Sequence, residues 1–123
     1  MIDLQRPDAV SCPPNPELQE RPLLTPAQAG NLARVFKVLS CDTRLRLLHA
    51  LVRSDELCVN ALSASVGMKA QAVSNQLQRL VTQGILGCRR DGNNIYYRIE
   101  DPCVVHLLEH GVCLTERTQE RGL

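Results

Sequence analysis

Apolar residues along this 123-residue chain recur at helical spacing in five stretches and alternate like a strand in a sixth. "TPAQAGNLARVFKVL" places Thr25 as an N-cap, Pro26 at the first helical position and Gln28 three residues after the cap. Leu32, Val35, Phe36 and Leu39 then mark one helix face. "DTRLRLLHALV" predicts a second helix capped by Asp42 or Thr43, with Leu45, Leu48 and His49 turned inward. A third helix is expected from Leu57 to Val66, ended by Gly67 in a left-handed cap. "KAQAVSNQLQRLVTQG" lines up Ala70, Val73, Leu77, Leu80 and Val81, and Gly84 stops it. In "ILGCRRDGNNIYYRIED" the run Asp91-Gly92-Asn93-Asn94 is a turn between two short strands, and Cys88 on the first reads as a packing residue. "DPCVVHLLEHGVCLTE" is a last helix.

A short helix, a glycine-marked turn, a second helix and a hairpin make a winged helix-turn-helix, mainly α with a small β-hairpin. Six of the seven prolines fall in the first 26 residues, so residues 1–24 read as a mobile arm. The folded unit is expected over 25–117 and a tail over 118–123. With one Phe, two Tyr and no Trp, the core must be aliphatic. A unit this small gains from burying its first and last helices against a second copy, which predicts a homodimer. No apolar run suits a signal peptide or a membrane span, so the expectation is a cytoplasmic protein with no membrane contact. The six cysteines are scattered and form no CxxC pair, which argues for thiols over disulfides or a zinc knuckle.

Charge sharpens the picture once it is divided. Residues 69–98 carry Lys69, Arg79, Arg89, Arg90 and Arg98 against the single acid Asp91, while both ends of the chain are acidic. The polar face of the fourth helix holds Gln71, Ser74, Asn75, Gln78, Arg79 and Thr82, again without an acid. Amides, hydroxyls and guanidinium groups are what bond base edges and phosphates in a major groove. The predicted partner is double-stranded DNA, read by Lys69 and this face, with Arg89, Arg90 and Asn93 of the hairpin as further contacts. The chain has no phosphate loop and no nucleophile elbow, so it is not read as an enzyme.

The remaining chemistry is on the last helix. Cys103, His106, His110 and Cys113 fall within an arc of about 80°. Cys103 and Cys113 are about 15 Å apart along the axis, so one helix cannot wrap one ion. It offers two half-sites instead, Cys103/His106 and His110/Cys113, each spanning one turn.

In order and spacing, "LSCDTRLRLLHAL", "ELCVNALSASVG", "AVSNQLQRLVTQGIL" and "RRDGNNIYYRIED" resemble the ArsR/SmtB family of metal-sensing repressors. The resemblance covers roughly residues 30–116. It implies a dimer with terminal helices at the interface, a palindromic operator, and metal-induced release of DNA from efflux or detoxification genes. One family site, on the last helix, is matched by Asp101 with Cys103 and by Cys113 with Glu116, the two halves lying one residue closer together than is usual. Another is matched in part by Cys58, where Asn60 replaces a second thiol, with Cys12 of the arm and Cys41 as further sulfurs. An antiparallel crossing of two last helices near Leu108 would join each Cys103/His106 half to a His110/Cys113 half. Such sulfur–nitrogen sites suit a thiophilic ion, with Zn, Cd, Pb, Hg and As all open. A thiol-based redox or reactive-sulfur sensor of the same fold is the alternative.

Overall fold

The computed structural model describes residues 17–120. Helix α1 (Pro26–Leu39) opens on a capping box. The Gln28 amide donates to Thr25 Oγ1 at 3.1 Å, and the Thr25 amide donates to Gln28 Oε1 at 2.9 Å. Two orphan amides of the first turn are thereby satisfied. Only Leu39 of this helix is buried in the chain's own core, and Leu32, Val35 and Phe36 remain exposed.

Helix α2 (Asp42–Ser54) departs from expectation in two ways. Its N-cap is Cys41, which makes no side-chain cap, and Asp42 accepts only from its neighbour's amide, Thr43 N, at 2.8 Å. Its core face is Leu47, Leu48 and Leu51; Leu45 and His49 are exposed. The helix carries two apolar stripes, and the periodicity of Leu45 with Leu48 does not say which one the core takes. Arg44 continues the core-facing stripe one turn before Leu47 and Leu48. Its guanidinium donates to Gln76 Oε1 at 2.6 Å and to the Val38 carbonyl at 2.8 Å, tying α2 to its neighbours.

The third helix is shorter than its sequence pattern suggests. Glu56–Cys58 form a strand, β1, and α3 spans Val59–Val66. The hydrophobic run is shared because Leu57 pairs with Tyr97 in a sheet instead of starting a helical turn. Gly67 then ends α3 at φ 69°, ψ 36°, a left-handed cap in which a side chain would be strained.

Helix α4 (Ala70–Thr82) turns Val73, Leu77 and Leu80 into the core. Ala70, counted with this stripe, is exposed at its first turn. Strands β2 (Leu86–Asp91) and β3 (Asn94–Ile99) form the hairpin, and β1 joins it to make a three-stranded antiparallel sheet of order β1-β3-β2. Helix α5 (Pro102–Glu120) completes the fold and runs past the boundary expected at residue 117.

The core is aliphatic, built on leucines of α2, α3 and α4 with Ile85, Leu86 and Val104. Tyr97, 1% exposed, is its single aromatic ring. Full burial of each such side chain stabilises by about 1.5–3 kcal/mol. Among the described residues, no helix is long and apolar enough to cross a membrane.

Candidate nucleic-acid interface and metal-ligand helix

The segment α3–turn–α4 is held by local bonds. The amides of Gly67 and Met68 both donate to the Ser63 carbonyl, at 2.9 and 3.2 Å, and Ser63 Oγ donates to the Met68 carbonyl. Burial of Val73, Leu77 and Leu80 then leaves Gln71, Asn75, Gln78, Arg79 and Thr82 exposed on the opposite face, with Ser74 half-buried at its edge. Lys69 is exposed at the N-cap. Gln71 Nε2 donates to Asn75 Oδ1 at 3.1 Å, so these two amides share one stretch of surface. Gln78 is engaged elsewhere. Its Nε2 donates to the Tyr97 hydroxyl at 3.3 Å, bridging α4 to the sheet. Burial is the largest influence on that phenol and raises its pKa above the usual tyrosine value; the Gln78 bond lowers it and Cys88 raises it by smaller amounts.

Register separates the two hairpin arginines. Cross-strand partners share a face and successive residues alternate. Cys88 is opposite Tyr97, Arg89 opposite Tyr96 and Arg90 opposite Ile95. Arg90 therefore shares the face of Tyr97, the side packed on the core. Arg89 shares the outer face with Tyr96, Arg98 and Glu56. The Arg89 guanidinium lies 4.8 Å from the centre of the Tyr96 ring. It reaches across β3 to Glu56 on the far strand, with Nε 3.0 and 2.9 Å from the two carboxylate oxygens and Nη2 at 2.8 Å. Its Nη1 lies 3.6 Å from Asp91. The hydrogen bond with Arg89 holds the Glu56 carboxyl below the usual carboxylate range and raises Arg89 in turn. Asn93 is exposed in the turn beside Gly92, whose φ is 64°.

Glu56 is the residue that the sequence reading missed. It lies 33 positions from Arg89, and only the pairing of β1 with β3 brings it there. Cys88, expected to pack, is exposed on β2.

On α5, Asp101 accepts from the Cys103 amide at 2.9 Å, which satisfies an orphan donor of the first turn. Val104 and Val105 are buried and Leu108 rests against the core. Cys103 and His106 are half-buried, and His106 Nδ1 lies 3.5 Å from Glu109 Oε1. Beyond Leu108 the helix leaves the core. His110, Cys113 and Glu116 are exposed, as are Val112 at 54% and Leu114 at 58%. Within one chain, no three His, Cys, Asp or Glu side chains among the described residues gather closely enough to hold a metal. Cys41 and Cys58 are each half-buried, Cys41 at the start of α2 and Cys58 at the end of β1. Cys12 lies outside the described residues.

The chain is similar in sequence and fold to known proteins. A family model described as "Bacterial regulatory protein, arsR family" matches residues 41–86. The cadmium resistance transcriptional regulatory protein CadC of Listeria innocua is 35% identical over 92 residues, 75% of this chain and 74% of the relative. The crystal structure of the AntR antimony-specific transcriptional repressor is 59% identical, with a TM-score of 0.77 over 89% of this chain and 99% of that one. The homodimeric winged helix-turn-helix domain of Mb0332 from Mycobacterium bovis, a possible ArsR-family regulator, is 29% identical with a TM-score of 0.71. It covers 85% of this chain and 95% of that one.

Proposed function

The chain belongs to the bacterial ArsR family, and from that premise we propose that it is a repressor that binds operator DNA as a homodimer and is released by a thiophilic metal or metalloid ion. The observation that carries this is a division of labour between two helices. The acid-free polar face belongs to α4, whereas the thiol–imidazole row belongs to α5, with Cys103 and His106 half-buried on its inner turns and His110 and Cys113 exposed beyond Leu108. A ligand on α5 can then reach the DNA only by changing how two copies are disposed, as a two-state device requires.

The exposed apolar side chains of α1 and α5 supply the dimer surface, and two-fold symmetry turns each helix's two half-sites into shared ones. Cys103 with His106 on one copy meets His110 with Cys113 on the other. Asp101, tied to the helix cap, and Glu116, on the exposed end, are outer oxygens for the same ion. Cys41, Cys58 and Cys12 are a secondary thiol set. Relatives named for cadmium and antimony both point to soft ions, and antimony joins Zn, Cd, Pb, Hg and As as an effector to test.

The experiment is anisotropy of a duplex taken from upstream of the protein's own gene, titrated with each ion under reductant. Release by at least one thiophilic ion is expected, and loss of that release on Cys103→Ser with apo binding intact. DNA retained with every ion, but released by peroxide or polysulfide without reductant, would replace metal sensing by thiol oxidation.

A further inference from the structure

The wing's most prominent cation is already occupied in the free protein. Arg89 presents its Nε–Nη2 edge to both oxygens of Glu56, all at 2.8–3.0 Å, and its remaining nitrogen faces Asp91 at 3.6 Å. That edge is the planar fork by which arginine grips a phosphate. Glu56, from outside the basic segment, brings the group Glu56, Arg89, Arg90 and Asp91 to zero net charge, and Arg98 on the same face is paired with Glu100 at 3.2 Å. The pair is nonetheless open to solvent, with 48% of the Arg89 side chain and 28% of the Glu56 side chain exposed. An exposed ion pair is weakly held and readily exchanged. Tyr96, under the guanidinium, keeps the side chain extended along the outer face whichever anion it grips.

We propose that Glu56 is an internal stand-in for a DNA phosphate: it holds the Arg89 fork in the free protein and yields it when nucleic acid arrives, lowering the wing's affinity for the DNA backbone. The inference rests on the DNA-binding reading above. It concerns a contact that carries no sequence information, so a random-sequence duplex is the probe, with the upstream duplex run in parallel.

Binding is measured against salt for the full-length wild type, Glu56→Gln, Arg89→Ala and the double variant, with thermal melting as a check on folding. Glu56→Gln should tighten random-duplex binding and steepen its salt dependence by about one counterion per wing. In the Arg89→Ala background the same change should do almost nothing, because the fork it would free is gone. Equal tightening in both backgrounds would reduce Glu56 to an ordinary repelling charge. Weaker binding by Glu56→Gln would make the pair a strut that positions the wing. Either result overturns the proposal while leaving the repressor reading intact. A wild type that binds neither duplex removes both.

Discussion

At the scale of single residues, alternation matters more than composition. Arg89 and Arg90 are chemically identical neighbours, yet strand register puts one over Tyr96 and the other on the side of Tyr97. The same register carries Tyr97 into the core, where its hydroxyl has Gln78 as partner. Tyr97→Phe should cost about 0.5–1.5 kcal/mol, the usual net value of a hydrogen bond, and release Gln78. It should also change the alkaline limb of stability. Burial raises the phenol's pKa above 10.0 in the folded chain, so the fold favours the neutral form. That contribution is fully present below the unfolded value and is lost as pH rises through the folded one. Urea unfolding from about pH 9 to pH 12 should therefore show a fall in the wild type that is smaller in Tyr97→Phe. Parallel curves for the two proteins would remove the phenol from the account.

At the scale of elements, the sequence was legible wherever one signal determined one outcome. The capping box at Thr25, the left-handed Gly67 and the stripe Val73–Leu77–Leu80 all stand as their patterns predict. It was illegible where two partners competed for one segment. The run from Leu57 suits a helix face as well as a sheet pairing, and Leu48 lines up with the exposed Leu45 and Val52 as well as with the buried Leu47 and Leu51. Periodicity is local, whereas β1 is decided by β3, about 40 residues on. The acid-free polar face of α4 was legible as a set of residue types, but not the withdrawal of Gln78 to Tyr97 nor the clamp on Arg89. Helix α5 divides likewise. Its inner turns are fixed by Val104 and Val105, and its outer donors find no third ligand among the described residues of their own chain. A mixed dimer tests the shared arrangement. Cys103→Ser and Cys113→Ser homodimers each lose one sulfur from both sites, whereas the heterodimer retains one complete sulfur pair. Calorimetry should find weak ion binding in both homodimers and one tight ion per heterodimer. Equally weak binding in all three would exclude the antiparallel crossing.

At the scale of the whole molecule, the chain leaves much apolar surface outside its own core. Phe36 is 51% exposed, Val112 54% and Leu114 58%, with Leu32, Leu45 and Val52 exposed as well. A second copy that covers them links folding to association. Dilution across the dissociation range should then lower the melting temperature, and sedimentation should show a dimer above that range. A melting temperature independent of concentration, together with a stable micromolar monomer, would overturn the homodimer and both shared sites. Reciprocity sets a further condition at this scale: an ion that expels the operator must itself be weakened by the operator to the same degree.

The opposite placement of the two wing arginines bears on how such a protein can diverge. Deleting one residue of β2 between Leu86 and Arg89 would move Arg90 into the position over Tyr96 and turn Arg89 towards Tyr97. Net charge would be unchanged, because the residues between Leu86 and Arg89 are Gly87 and Cys88, and the motif would still read as two arginines before a turn. The guanidinium gripped by Glu56 would nevertheless be a different one. Length variation in a short hairpin would therefore change which arginine Glu56 holds while leaving every polar side chain of α4 as it is.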